Sequence, residues 1–303
     1  MKTHASAAIL LVASTLFASA AELGIDAPEL KIKDWIQGKP VDLKTAKGTN
    51  IVVVEFWATW CGPCRTSIPH LSELQTKFKD KGVTIIGVSD ETAGKVKPFV
   101  EKMADQMSYV VATDDGRKTS TAYMEAFGQD GIPHAFIVDK QGRVAWHGHP
   151  MAGLDKALED IVSGEYDLET AKKSLRAEKS MRDYFELVAD GDSTPKSKEL
   201  GEGILRDASS NASLMNQFAW ILMTHPRLKN PDLELAHRAA KSAYDLSEGK
   251  DPSIIDTYAR AQFVRGKIKE AVELQKKAIE LCDEAELKPQ LEKALKEYQA
   301  KLN

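Results

Sequence analysis

A mixed α/β sheet domain followed by an all-α domain is the architecture this sequence predicts, and three observations predict it. At 303 residues the chain exceeds what one compact core commonly spans, so two domains are expected. Between Ile51 and Ser163 short apolar runs alternate with amphipathic helical stretches, the pattern of βαβ units. Beyond Ser163-Gly164 strand signals vanish and only helical periodicity remains.

In chain order, Ile51 to Trp57 reads as a buried strand, Arg65 to Lys79 as a helix and Val83 to Ser89 as a second strand. Ala93 to Met103 is a helix, Tyr109 to Thr113 a strand and Thr119 to Phe127 a helical stretch. His134 to Asp139 and Val144 to Trp146 are strands joined through Lys140-Gln141-Gly142, a tight hairpin turn, and Ala152 to Ser163 closes the domain as a helix. Parallel units followed by a terminal hairpin imply a mixed sheet with helices on both faces. Leu168 to Val188 is a charged helical stretch, and Gly191-Asp192-Ser193-Thr194-Pro195 has the composition of a turn or linker. Amphipathic helices follow over Ser197 to Asp207, Ala212 to Thr224, Asp232 to Leu246, Ser253 to Arg265, Ile268 to Cys282 and Leu287 to Leu302. The expected division is 22–164 for the sheet domain, 165–196 for a helical linker region and 197–303 for the helical domain.

Composition removes several function classes. Lys plus Arg number 41 against 45 Asp plus Glu, a net charge of −4, so no global positive field attracts nucleic-acid phosphates. Hydrophobic residues at 43% and charged residues at 28% exclude a wholly disordered, fibrous or polytopic membrane chain. Three cysteines are too few for a disulfide-rich scaffold or a four-cysteine zinc site. Residues 1–21 read as a cleaved secretory signal: Lys2, the apolar run Ala7 to Phe17, then Ala18-Ser19-Ala20. An uncleaved anchor is the alternative, but the apolar run falls short of the roughly 20 residues that span a bilayer. The protein is therefore expected outside the cytoplasm, in the periplasm or cell envelope.

The chemistry concentrates where the strand ending Glu55-Phe56-Trp57 runs through Ala58-Thr59-Trp60 into Cys61-Gly62-Pro63-Cys64 at a helix start. A helix N-terminus turns N–H groups and its positive dipole end toward an anion, so a Cys61 thiolate is stabilised there. Pro63 sacrifices no hydrogen bond in the first turn. Cys64, one turn further in, is expected to be more buried and to attack a mixed disulfide from within. Glu55 points inward on an alternating strand, where desolvation raises its proton affinity. It could then relay the Cys64 proton; a glutamate reaching solvent at the strand end is the other reading.

Trp60-Cys61-Gly62-Pro63-Cys64, Pro69 five residues after Cys64, and Gly131-Ile132-Pro133 before a strand together resemble the thioredoxin superfamily, specifically its exported TlpA/ResA-like branch, over about Ala27 to Ser163. The resemblance implies a thioredoxin-like fold and thiol:disulfide oxidoreductase activity with no cofactor. It further implies a cis peptide before Pro133, which packs beside the dithiol, and pairing of the Ile132 backbone with an extended substrate. Ala27 to Leu30 through Lys39 to Leu43 looks like the branch's N-terminal hairpin, and Val83 to Thr113 holds its extra strand and helix. Glu91 is a second candidate acid on the same resemblance, with Asp90 or a solvated loop as the alternatives. Ala219, Ala236 and Ala243, then Ala259, Ala271 and Ala278 around Gly266, resemble a degenerate tetratricopeptide pair, although Gln262 and Gln275 stand where large apolar residues are usual.

Other residues are weighed against this centre. Trp60 is expected to shape the substrate surface and Trp57 to sit in the core. His134, directly after Pro133 and so expected near the dithiol, is a candidate substrate contact or pKa-modulating group, with a surface polar residue as the alternative. His147 and His149 have no ligand-set spacing with the cysteines, and no metal is expected. Cys282 reads as a small hydrophobe on an apolar helical face. The leading expectation is a reductase of protein disulfides recycled by a membrane electron donor, with the helical half binding a peptide or protein. A thiol peroxidase is the second enzyme reading, weakened by Ala58 where peroxidases of that kind carry Thr three residues before the nucleophile. A binding protein with the sheet domain as mere scaffold is the third.

Overall fold

The computed structural model describes residues 21–189, 191 and 194–302. Residues 1–20 of the expected signal, together with Asp192 and Ser193 of the expected linker, lie outside them. The chain divides into two compact units between Tyr166 and Asp167. Among the described residues no helix is long and apolar enough to cross a membrane.

The first unit runs β1 (Ile32–Gln37), α1 (Leu43–Ala46), β2 (Ile51–Trp57), α2 (Gly62–Phe78), β3 (Val83–Ser89), α3 (Ala93–Met103) and β4 (Val110–Asp114). It continues through α4 (Lys118–Ser120), a π-helical turn (Thr121–Glu125), β5 (His134–Val138), β6 (Val144–Gly148) and α5 (Leu154–Ser163). One six-stranded sheet results, in the order β1-β4-β3-β2-β5-β6. β2 lies parallel to β3 and antiparallel to β5. Its seven residues are all buried, which explains why a strand covered on both faces carries a nearly unbroken apolar run.

Strand alternation divides the core in two. Ile51, Val53 and Trp57 pack with Cys61, Cys64, Ile68 and Leu71 of the α2 side and with Ala135 and Ile137 of β5. On the opposite face Phe56, Tyr123, Phe127 and Phe136 form a chain of edge-on and tilted rings with centroids 5.2–5.9 Å apart.

The segment from Ala27 to Leu43 does not form the hairpin that the resemblance implied. It supplies one strand, β1, paired antiparallel with β4 at the sheet edge, while Asp26 makes an isolated bridge to Arg143 near the other edge. The extended run ends at Gly38, with φ +79°, and at Pro40, which has no N–H to offer a ladder. The open edge of β4 satisfies the β1 backbone instead.

The second unit is all helical: α6 (Leu168–Val188), α7 (Pro195–Asp207), α8 (Ala212–Thr224), α9 (Leu233–Leu246), α10 (Pro252–Val264), α11 (Ile268–Leu281) and α12 (Lys288–Gln299). Side chains of Asp167, Thr194, Asn211, Asp232 and Asp251 accept the first free N–H groups of α6 to α10, which is why these helices start where they do. α6, which the sequence reading assigned to a linker region, contributes Ala177, Met181 and Tyr184 to a core with Phe218, Ala236 and Ala240. The alanines at 219, 236, 243, 259, 271 and 278 are all buried. Buried Gln275 donates to Asp256 Oδ1 at 2.6 Å and to the Leu291 carbonyl at 3.1 Å. Its amide thus has partners that an apolar residue would leave unmet. Cys282 is buried against Ile255, Ala278 and Leu291.

Candidate active site

The end of β2 and the start of α2 bring the two cysteines together. Cys61 is the N-cap of α2, with extended φ −76° and ψ 110°, and the Cys64 N–H donates to its sulfur at 3.1 Å. A charge-bearing sulfur at this position meets a free helix N–H and the positive end of the macrodipole together. The two sulfurs are joined in a disulfide with 5.3 Å between Cα atoms, so the chain is in its oxidised form. Cys64 is completely buried and Cys61 nearly so, at 3% exposure. Trp60 stands beside them at 70% exposure. The Ile132–Pro133 peptide is cis, and the Ile132 carbonyl oxygen lies 3.8 Å from Cys61 Sγ.

Beneath this pair Glu55 is wholly buried, and neither carboxylate oxygen has a hydrogen-bond partner. It sits between Val53 and Trp57 on the strand face that packs against the cysteines. Burial in that apolar setting pushes its carboxyl up to about 8, because the charged form loses hydration and gains no donor in exchange.

The loop ahead of Cys61 is clamped from two sides. Glu91 accepts the Thr59 backbone N–H at 2.6 Å and the Thr59 hydroxyl at 3.0 Å. Arg65 donates to the Thr59 carbonyl through Nε at 3.0 Å and a terminal nitrogen at 2.6 Å, while its guanidinium lies 5.6 Å from the Phe99 ring centroid.

Residues 23–147 match the AhpC/TSA family. Over 124 residues the chain is 39% identical to the thiol-disulfide oxidoreductase ResA of Bacillus thuringiensis (strain Al Hakam), an alignment that covers 41% of this chain and 67% of that protein. The chain belongs to the ResA family of thiol-disulfide oxidoreductases. ResA of Bacillus subtilis (strain 168) is 30% identical over 122 residues, covering 40% of this chain and 64% of that protein. The thioredoxin domain of a thiol-disulfide oxidoreductase from Bacteroides vulgatus superposes with a TM-score of 0.41 at 28% identity, covering 47% of this chain and 99% of that one. As a ResA-family enzyme the protein is a thiol:disulfide oxidoreductase whose redox centre is the Cys61–Cys64 pair.

Several residues singled out in the sequence of this ResA relative meet at one place: Cys61, Cys64, Trp60 and the Ile132–Pro133 segment above, Glu55 below. His134 does not join them. It is the β-ladder partner of Phe56 and shares that residue's face, opposite the cysteines, where its Nε2 lies 3.1 Å from His147 Nδ1. The expectation of a substrate contact there fails by strand parity: one residue along a strand reverses the side. Burial lowers both imidazoles to about 4, with His147 and His149 adding to the effect on His134. Glu91 is present near the loop but is committed to Thr59. Sequence reasoning passed over Arg65 and Tyr109; the aromatic beginning an apolar strand run was the available signal for the latter.

Proposed function

We propose that this oxidoreductase is an exported reductase of protein disulfides. The observation that carries the reading is Cys61 Sγ at the N-terminus of α2, accepting the Cys64 N–H, with Trp60 exposed on one side and the Ile132 carbonyl 3.8 Å away on the other. A thiolate formed at Cys61 attacks one sulfur of a substrate disulfide, and the other substrate sulfur leaves as a thiolate. Glu55 in its ionised form, a minor fraction at neutral pH for a carboxyl at about 8, takes the proton of Cys64, whose sulfur displaces the bound substrate sulfur from Cys61. The substrate departs as a dithiol and the enzyme closes its own disulfide, the form described here. Renewed turnover takes two electrons from a dithiol donor, which for an exported protein lies in or at the membrane. Ile132 and Pro133 offer an extended substrate backbone a pairing edge, and Trp60 an apolar surface.

Export rests on the signal-like residues 1–21. The helical unit, with buried alanines at 219, 236 and 243 and at 259, 271 and 278, is read as a tetratricopeptide-like pair that holds a client or donor protein and raises its effective concentration near Cys61. The match of residues 23–147 to the AhpC/TSA family favours one further reading, a thiol peroxidase.

The test is the full chain with Cys64→Ser, incubated with a disulfide-containing protein and analysed by mass spectrometry under non-reducing conditions. A stable mixed disulfide through Cys61 is expected, and Cys61→Ser should form none. Failure of Cys64→Ser to trap any substrate would reject the assignment of attacking and resolving sulfurs. Reduced wild type that consumes hydrogen peroxide faster than it exchanges with protein disulfides would favour the peroxidase.

A further inference from the structure

Four buried polar atoms without partners occur together on the sheet face that supports the dithiol: both carboxylate oxygens of Glu55, the indole Nε1 of Trp57 and the hydroxyl of Tyr109. Buried donors and acceptors are rarely left unmet in a native protein, since each costs about 1–3 kcal/mol, so four of them side by side call for a physical account. Gly87 of β3 explains how they come so close. It is the register partner of Glu55, and a Cβ at this position would lie 3.0 Å from Trp57 Nε1 and 3.0 Å from Tyr109 Cε2. Only a residue without a side chain lets both rings lie over the strand beside the carboxylate.

The two aromatic groups supply what the carboxylate lacks. Indole N–H is a donor only, and phenol O–H can donate. Burial first, and the Glu55 charge second, push the Tyr109 hydroxyl well above its ordinary range, so it keeps its proton at every pH at which Glu55 titrates. Among the described residues Tyr109 and the half-buried Tyr166 are titratable side chains of the surrounding core, where the two cysteines are joined in a disulfide and α2 and α3 contribute Ile68, Leu71, Val96 and Val100.

We propose that Tyr109 is the positioning residue for Glu55, its hydroxyl turning, with the Trp57 indole N–H alongside, to donate to the carboxylate when that group gives up its proton. The ring is held for this purpose by the Gly87 gap on one side and by the core on the other; its own carbonyl accepts from Gln37 Nε2 at 2.8 Å. The donor pair keeps the ionised state of Glu55 within reach in a site that offers it no cation. This rests on the reading of Glu55 as the acceptor of the Cys64 proton.

The experiment separates the two ideas. In the oxidised full chain the cysteines carry no proton, so infrared difference titration follows the protonated Glu55 carbonyl stretch alone, identified by its loss in Glu55→Gln. Tyr109→Phe deletes one oxygen and retains the ring. Losing one donor to the ionised form is expected to raise the midpoint by about one pH unit, the size of a hydrogen bond to a charged group. An unchanged midpoint overturns the proposal. Exchange kinetics are then read across pH on the reduced proteins. If Tyr109→Phe moves the infrared midpoint while Glu55→Gln leaves the rate profile unchanged, the coupling of Tyr109 to Glu55 stands and the proton role of Glu55 in exchange falls.

Discussion

Replacing Glu55 by glutamine should make the first unit progressively more stable, relative to wild type, as pH rises. The carboxyl titrates near its ordinary 4.5 in the unfolded chain and at about 8 in the fold. Between those values the folded protein holds a proton that the unfolded chain has released, so stability falls with rising pH. The contribution is complete below 4.5, erodes from there upward and is gone once pH passes about 8. At about 1.4 kcal/mol per pH unit, the deficit reaches roughly 3 kcal/mol at pH 7 and roughly 5 kcal/mol above pH 8. Glutamine keeps the shape and removes the titration. Guanidinium unfolding of oxidised wild type and Glu55→Gln at steps from pH 5 to 9 measures this. Tryptophan fluorescence reports mainly the first unit, since Trp35, Trp57, Trp60 and Trp146 lie there and Trp220 alone lies in the second. The two stability curves should diverge with a slope near 1.4 kcal/mol per pH unit up to about pH 8 and run parallel beyond. Parallel curves throughout would mean that Glu55 is not held protonated, and the account of its burial would be wrong.

Two further outcomes follow from the same geometry. Glu91→Ala removes the acceptor of the Thr59 N–H and hydroxyl, which should cost about 1–3 kcal/mol locally; the Thr59 amide would exchange hydrogen at least several-fold faster and protein-disulfide exchange would slow. Buried His134 and half-buried His147 are neutral in the fold, each ring lowered from 6.5 to about 4, so the stability the pair contributes is present above pH 6.5 and drains away as pH falls toward 4. His147→Asn should flatten that acid limb in denaturant titrations by up to about 1.4 kcal/mol per pH unit, less in proportion to the ring's partial exposure; an unaltered limb would remove the pair from the explanation of acid sensitivity.

What could be read in advance and what could not divides along the range of the interactions. β2, β3, α3, α6 and α8 follow local periodicity to their terminal residues, because a buried strand or an amphipathic helix writes its period into neighbouring residues. The dithiol was legible for the same reason: strand end, loop and helix start are contiguous. β1 was misread because its partner β4 is more than seventy residues away along the chain, and no local pattern says which edge a lone strand will join. His134 was misplaced by a single step of strand parity. The Glu91 clamp on Thr59 and the Tyr109 hydroxyl above β3 depend on three-dimensional closure between segments that share no spacing rule. Glu55 was half legible: its inward direction came from alternation, but the missing hydrogen-bond partners exist only once the sheet is assembled.

Cys282, packed under Leu291 in the second unit, gives the chain a thiol that its own chemistry could misuse. Disulfide exchange can pass to any thiolate that reaches the sulfurs, and a third cysteine is such a candidate. Burial to 5% exposure withholds that sulfur from exchange for as long as α10, α11 and α12 stay packed, since attack requires contact with the thiolate. The redox chemistry of the chain is thereby kept to the Cys61–Cys64 pair, because the third sulfur becomes a nucleophile only where the packing of these three helices is opened.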